Sequence, residues 1–253
     1  LFWRAVVSGF RREGSGEIWA APDSSLAEAA LDQAGQGGQA CRAGEGQIVQ
    51  VTFRASQAAD AAASAPLAHS SGPESFDYVF ANGRATGTDF LRYALAREGG
   101  EFGYGVHIVG EQGGRIVASG GGWVGGHGAF ALATMASVIG FAPVLALPGI
   151  NRRGSQAVSV MPDPAKDEYY IGHLGVDPAL RGQGIGEAMV GYLLKAAAAS
   201  RATRAVLDVS VENPRAQALY ERLGFVVTAT RASSFANAFG RIPGHRRMQR
   251  VVR

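Results

Sequence analysis

A mixed α/β domain is predicted, with a central sheet flanked by helices in the order βααββ, an insert, then βαβαββ. Strand-like runs of β-branched and aromatic residues alternate with segments of helical period from Gln47 onward. Hydrophobic residues form 47% and charged residues 18% of the 253 residues, which supplies a core and excludes a wholly disordered chain. Two strand-like runs also give way to helical ones through recognisable joints, the glycine-rich Arg181–Gly186 and the pair Asn213-Pro214. The length suits one large domain, or one domain with an extension, better than two full domains.

Residues 1–46 read as a Gly/Ala-rich extension, with no hydrophobic period from Ala34 to Ala40. Within it Ser25 and Glu28 fit a capping box for a short helix through Asp32, and disorder is equally open. The compact domain, residues 47–253, begins with a strand containing Ile48, Val49, Val51 and Phe53. An alanine-rich stretch, Gln57 to Ala68, favours helix. The next helix, Thr88 to Glu98, carries Phe90, Leu91, Ala94 and Leu95 on one face and stops at Gly99-Gly100. Strands Val106–Val109 and Arg115–Ser119 flank Gln112-Gly113-Gly114, a hairpin connection.

A Gly-rich passage, Gly120 to Gly128, leads to the uncharged segment Ala129–Ile150, an apolar insert bounded at about 126–151. Tyr169–Val176 then reads as a buried strand closed by Asp177-Pro178. Ile185, Ala188, Met189, Tyr192 and Leu193 recur at i, i+3, i+4, i+7 and i+8, the clearest helix in the chain. Strand Ala205–Val211 follows, then a helix with Asn213 as N-cap, Pro214 at N1 and Gly224 past its end. Strands Phe225–Thr230 and Arg247–Val252 complete the order.

Charge and cysteine content narrow the partners. The net charge is +3, too small to draw nucleic acid without a concentrated patch. The C-terminal arginines Arg241, Arg246, Arg247, Arg250 and Arg253 are expected on a solvated strand and loop, and no aromatic interleaving supports RNA. Cys41 is the sole cysteine, so neither an internal disulfide nor a cysteine zinc site can form within one chain. His107, His127 and His245 lack ligand spacing with acidic partners, so no metal is expected. Leu1–Phe10 lacks a basic n-region, and a cytoplasmic protein is expected. Ala129–Ile150 is long enough for one membrane crossing, yet a crossing would divide strands expected in one sheet. We therefore expect it to cover one side of a cleft or to meet a second subunit, leaving a homodimer open.

The loop from Arg181 to Gly186 joins a strand to a helix through Gly182, Gly184 and Gly186, and can bind phosphate. Glycines let an anion approach the backbone, and the free amides of the helix's first turn point at it. A dinucleotide fingerprint fails on spacing, since Glu187 and Met189 stand where its third glycine belongs. A P-loop fails because the loop holds no lysine. Arg181-x-x-Gly184-x-Gly186 does match the Arg/Gln-x-x-Gly-x-Gly/Ala signature of the GNAT acetyltransferases. The resemblance extends through Asn213-Pro214-Arg215-Ala216-Gln217-Ala218-Leu219-Tyr220 to Phe225 and back to Thr52-Phe53-Arg54-Ala55, covering about residues 47–253.

The resemblance implies a mostly antiparallel mixed sheet and transfer of an acetyl group from acetyl-CoA to an amine by direct attack. Backbone groups of Leu174 and Val176 would hold the pantetheine arm. Arg181, Gly182, Gln183, Gly184, Ile185 and Gly186 would take the pyrophosphate. Asn213 and Tyr220, two helical turns apart, would face the cofactor, with Tyr220 as the acid for the departing thiolate. The acceptor would be a small-molecule amine or a protein N-terminus. Relatives often place the general base two residues before Leu174, where this chain has Gly172. Tyr170 shares that strand face, Glu168 is another candidate, and His173 should point to the opposite face under strict alternation; a water relay also remains open. The absence of a polar group at Gly172 motivates a competing reading, a non-catalytic acyl-CoA-binding sensor or interaction module, while Tyr220 favours an enzyme.

Overall fold

The structure is a computed structural model that describes residues 38–42, 48–126 and 128–252. Its strands are β1 Gly38–Arg42, β2 Ile48–Ala55, β3 His107–Gln112, β4 Arg115–Val124, β5 Glu168–Val176, β6 Arg204–Ser210, β7 Val226–Arg231 and β8 His245–Val251. They form one eight-stranded sheet in the order β1-β2-β3-β4-β5-β6-β8-β7. Every neighbouring pair is antiparallel except β5–β6. The helices are α1 Ala61–His69, α2 Pro73–Phe80, α3 Gly87–Leu95, α4 Gly128–Phe141, α5 Leu147–Val160, α6 Ile185–Ala199 and α7 Pro214–Arg222. The mixed, mostly antiparallel sheet flanked by helices is the architecture expected.

Four elements differ from the expected order. Strand β1 pairs with β2 from Gly38↔Thr52 to Arg42↔Ile48, so the sheet reaches into the segment read as an extension. The short helix through Asp32 that Ser25 and Glu28 would cap lies outside the described residues. Helix α2 was not anticipated, although Pro73 at N1 and Glu74 in the first turn are its start signals. The apolar segment is two helices rather than one insert. Pro143 separates them, and α5 continues past residue 151 through Arg152 and Arg153 to Val160. Among the described residues no helix is long and apolar enough to cross a membrane.

Local chemistry explains the remaining boundaries. Thr86 and Asp89 form a reciprocal capping box that starts α3 one residue before the expected position. The β3–β4 connection narrows to Gly113-Gly114, with φ of 56° and 76°, the left-handed pair a two-residue hairpin requires. Strand β4 runs on through Gly120-Gly121-Gly122, a stretch read as loop, because the neighbours there leave no room for side chains. A Cβ on Gly120 would lie 2.6 Å from Leu174 Cδ2, and one on Gly122 would collide with the Tyr169 hydroxyl.

Two cores hold the layers. On one sheet face, Ile185, Met189, Leu193 and Ala196 of α6 pack on Val117, Ala118, Ile171 and Leu207. On the other, α1 to α5 gather around Phe80, Phe90, Leu91, Leu95 and Phe102, with Phe80 and Phe90 stacked at 3.7 Å. Each large side chain withdrawn from water in these clusters contributes about 1.5–3 kcal/mol.

Gly122→Ala is expected to destabilise the fold by about 1–3 kcal/mol, because the added methyl meets the Tyr169 ring on the neighbouring strand. Urea unfolding checks this, and a parental midpoint would contradict the close approach of β4 and β5.

Candidate active site

The site is built by two irregularities of β5. The first is a bulge against β4. Ser119 pairs with Gly175 and Gly121 with Gly172, so Gly120 alone faces both His173 and Leu174. His173 takes up the extra residue with φ of 58°, the sole non-glycine residue with positive φ among those described. Strict alternation would send its side chain to the α6 face beside Tyr169 and Ile171. The bulge instead turns it to the opposite face, where its ring lies 5.2 Å from Phe102, 5.5 Å from Trp123 and 5.6 Å from Phe76. His173 thus joins Tyr170 on the face that strict alternation denied it.

The second irregularity is a splay. The parallel β5–β6 ladder covers only Glu168↔Arg204, Tyr169↔Ala205 and Tyr170↔Val206. Beyond Tyr170 the β6-facing edge of β5 has no ladder partner, which leaves a gap between the strands. A cavity of about 590 Å³ occupies it and continues under α2, α4 and α5.

One end of the cavity is suited to anions. Gly182 and Gly184 both have φ of 81°, and Gly184 caps α6 in the left-handed conformation. The first α6 bond runs from Ala188 N–H to the Gly184 carbonyl, so the amides of residues 185–187 precede the ladder. Arg181, whose Nε donates to the Val176 carbonyl at 3.2 Å, and Arg215 line this end. Asn213 Oδ1 accepts from Ala216 N–H at 3.1 Å and opens α7 beside them. Tyr220, one side of α7 further on, lines the same cavity and packs edge-on against Phe225 at 6.1 Å. Burial pushes its phenol up to about 12, so it holds its proton at neutral pH.

The other end is aromatic and acidic. Trp123 lies 4.9 Å from Tyr170, whose hydroxyl donates to Asp208 Oδ2 at 3.2 Å. Arg247 pairs with Asp208 at 2.6 Å, donates to the Pro162 carbonyl and sits 5.6 Å from the Tyr170 ring. Burial and then the Asp208 charge raise Tyr170 well above its ordinary range, so its proton stays in that bond. Glu101 and Asp163 also line this end. Burial, reinforced by Asp163, pushes the Glu101 carboxyl up to about 8. Burial raises Asp163 too, against the opposing pull of Arg247.

His173 belongs to a two-histidine chain. A carbonyl only accepts, so His107 Nδ1–H donates to the Gly103 carbonyl at 2.7 Å. Burial holds His107 down to about 4, leaving its Nε2 bare, and His173 Nδ1–H donates to it at 3.2 Å. The two rings are nearly parallel, 8° apart. Burial first, then the neighbouring His107, keeps His173 well below the usual imidazole range, so its Nε2 carries a lone pair.

Most residues expected at the site converge on this cavity. Leu174, Val176, Arg181, Gly186, Asn213, Tyr220, Tyr170 and His173 all line it. Ile185 does not, since its side chain is in the α6 core, and Gly182, Gln183 and Gly184 stand off its surface. Glu168 is engaged elsewhere, accepting from Ala165 N–H at 2.9 Å and lying 3.9 Å from Arg204. Sequence reasoning missed Glu101, Asp163, Asp208, Arg215 and Trp123. It also misjudged Arg247, which is buried against Asp208 rather than solvated. Asp208 is the one charge within the apolar run 205–211, and that was its legible signal. Among the described residues no group of three metal-ligating side chains occurs.

Comparison with known proteins follows from this geometry. Residues 75–225 match the family model described as Acetyltransferase (GNAT) family. A curated mycothiol acetyltransferase of Beutenbergia cavernae is 43% identical over 72 residues, 28% of this chain and 24% of its own. The match thus spans about a quarter of that relative's length. An N-acetyltransferase structure from Staphylococcus aureus superposes with a TM-score of 0.57 at 17% identity, covering 78% of this chain and 99% of that one. A second structure, described as an acetyltransferase, gives 0.52 at 21% identity over 79% and 99%. At these identities the two structures show a shared fold.

His107 makes stability depend on pH in a definite direction. An unfolded histidine titrates near 6.5, and His107 in the fold near 4. Between those values the unfolded chain binds a proton that the folded chain does not, so this contribution is complete above about pH 6.5 and is lost as pH falls toward 4. The loss is about 3 kcal/mol. Imidazole NMR is expected to show His107 and His173 neutral with Nδ1 protonated at pH 6, and a midpoint near 6.5 for either would contradict the chain.

Proposed function

Because the chain belongs to the GNAT acetyltransferase family, we propose that it transfers an acetyl group from acetyl-CoA to a primary amine of a small molecule or a protein N-terminus by direct attack. The observation that carries this reading is the continuity of one cavity. It joins an unpaired strand edge and a helix N-terminus flanked by Arg181 and Arg215 to an acidic, aromatic chamber, with Tyr220 on its wall.

The residues present fit the cofactor. A strand edge without a ladder partner offers amide-complementary groups to an extended arm at Leu174 and Val176. The 181–186 loop, with two left-handed glycines and the leading amides of α6, suits a pyrophosphate, and the guanidinium groups of Arg181 and Arg215 add charge. When bound, acetyl-CoA supplies an activated acyl thioester. Tyr220 keeps its proton through the neutral range and serves as the acid that protonates sulfur when the carbon–sulfur bond breaks. Tyr170 and His173 bound the acceptor end, with Tyr170 fixed by Asp208 and His173 by His107.

Calorimetry is expected to show acetyl-CoA binding to the purified protein. Gly184→Glu should abolish it, because a side chain strains the left-handed cap and its charge repels the pyrophosphate. Unchanged affinity in a folded variant would refute the loop assignment.

Tyr220→Phe should leave that affinity intact and lower turnover about 100-fold, measured as free thiol released with a confirmed amine acceptor. Parental turnover would remove Tyr220 from the acid role.

A further inference from the structure

Two carboxyl groups in the cavity have no hydrogen-bond or ion-pair partner among the described residues. Glu101 stands in the connection from α3 to β3, and Asp163 in the connection from α5 to β5. Their backbones are well fixed. Glu101 N–H donates to Thr134 Oγ1 on α4 at 3.0 Å, and the adjoining Phe102 stacks on His173 at 5.2 Å. Glu101 is therefore anchored beside the β5 bulge, where the strand edge proposed for the acyl donor begins. The rings of Phe76, Phe102, Trp123 and Tyr170 line the same cavity. Aromatic faces and unpaired carboxyls on one cavity wall are the complement of an ammonium group.

We propose, resting on the acyl-transfer reading above, that Glu101 is the general base of the reaction. Together with Asp163 it selects a cationic amine that carries no carboxylate beside its nitrogen. The other candidates are poorly suited to accept a proton. His173 is held neutral well below the imidazole range and would return any proton it took. Tyr170 keeps its own proton in the bond to Asp208. Asp208 is neutralised by Arg247, which leaves Glu101 and Asp163 as the carboxyls of that end without an ion-pair partner among the described residues. An acceptor with a carboxylate next to its amine would bring a further anion to a wall where carboxyls already resist ionising, whereas an ammonium favours their ionised forms.

The proton balance closes without a further reactant. The ammonium gives its first proton to the Glu101 carboxylate. The nitrogen lone pair then forms the bond to the acetyl carbonyl carbon as the carbon–sulfur bond breaks. Sulfur takes a proton from Tyr220, and the second proton shed by nitrogen restores Tyr220 through solvent. Glu101 releases its proton to solvent, so amine cation and thioester give amide, thiol and one proton.

Asp163, in the α5–β5 connection, and Tyr170 of β5 interact electrostatically with Glu101, while His173 of β5 and Asp208 of β6, backed by Arg247 of β8, line the same cavity. Tyr170, His173 and Arg247 keep their charge state through the neutral range, so the acceptor-dependent ionisation near 8 belongs to Glu101 with Asp163 beside it.

The test uses the full chain, acetyl-CoA and two acceptor pairs, tyramine with tyrosine and agmatine with arginine, with free thiol as readout. Within each pair the decarboxylated amine should show at least a tenfold higher kcat/KM. For that amine, kcat/KM should rise with pH through a midpoint near 8. E101Q should lower it about 100-fold and retain only the rise due to the amine itself, while E101D restores part of the rate and the midpoint. Acetyl-CoA affinity should be parental in both variants, which also reports that they are folded. A parental rate or an unchanged midpoint in E101Q overturns the base assignment. Equal use of the amino acids overturns the selectivity. No turnover of any of the four by protein that binds acetyl-CoA overturns the cationic-amine assignment alone, whereas failure to bind acetyl-CoA overturns the acyl-transfer reading beneath it.

Discussion

Everything at the site depends on the way β5 meets its two neighbours. It must stay bonded to β4 along its length and yet leave β6 after Tyr170. The extra residue at His173 satisfies both demands, because a bulge bends its strand and increases local twist without ending the ladder. It also shifts the side-chain phase. Leu174 and Val176 face α6, with Leu174 against the backbone of Gly120 and near Met189, and Val176 beside Gly186 at the start of that helix. Without the shift both would point away from α6, and the phosphate-suited loop would lose its packing against the strand. The same residue swings His173 into the chamber. Gly120 is the necessary partner, since any side chain there would occupy the space of Leu174.

The charges along the cavity follow from this geometry. Past Val176 the chain enters the Arg181 loop and the α6 N-terminus, so cations and backbone amides collect at one end. Back toward Tyr170 the sheet is covered on both sides, and there carboxyls gather, one of them paired with Arg247. Arg247 and Asp208 form a pair almost wholly removed from water, with side-chain exposures of 11% and 0%. Burying two ions costs much of what their attraction returns, so the pair is weak evidence for stability. Its visible effect is orientation. Asp208 fixes the Tyr170 hydroxyl, and Arg247 ties β8 to the Pro162 carbonyl just before Asp163.

The fold was legible wherever local signals agreed with tertiary packing. Helix α6 declared itself by period, α7 by Asn213-Pro214 and Gly224, and the hairpin by Gly113-Gly114. The failures share a cause. Gly120-Gly121-Gly122 read as loop because glycine is a poor strand former by propensity, whereas here close neighbours crowd any added side chain. His173 was sent to the wrong face because a bulge is invisible to period-two alternation. The anion-suited end was legible because its residues are contiguous, Arg181 to Gly186 and Asn213 to Tyr220. The aromatic, acidic end was not, since Glu101, Trp123, Asp163, Asp208 and Arg247 come from five separate elements or connections and meet only in the folded chain.

The apolar segment links these points. Its inner face, with Met135 and Val138 of α4 and Ile150 and Ala157 of α5, roofs the cavity, while Leu132, Ile139, Val144 and Leu145 lie exposed on the outside. Apolar residues on both faces erase the helical period, and hydropathy alone then suggests a membrane span. The consequence is chemical as much as structural. A carboxyl in open water stays near 4, and Glu101 departs from that because it is partly withdrawn from water beneath the roof and Asp163 shares the chamber. Thr134, on the same roof, also receives the Glu101 amide hydrogen bond. The segment that resembles a transmembrane helix in sequence is therefore the one that both positions the carboxyl and sets the dielectric in which it ionises.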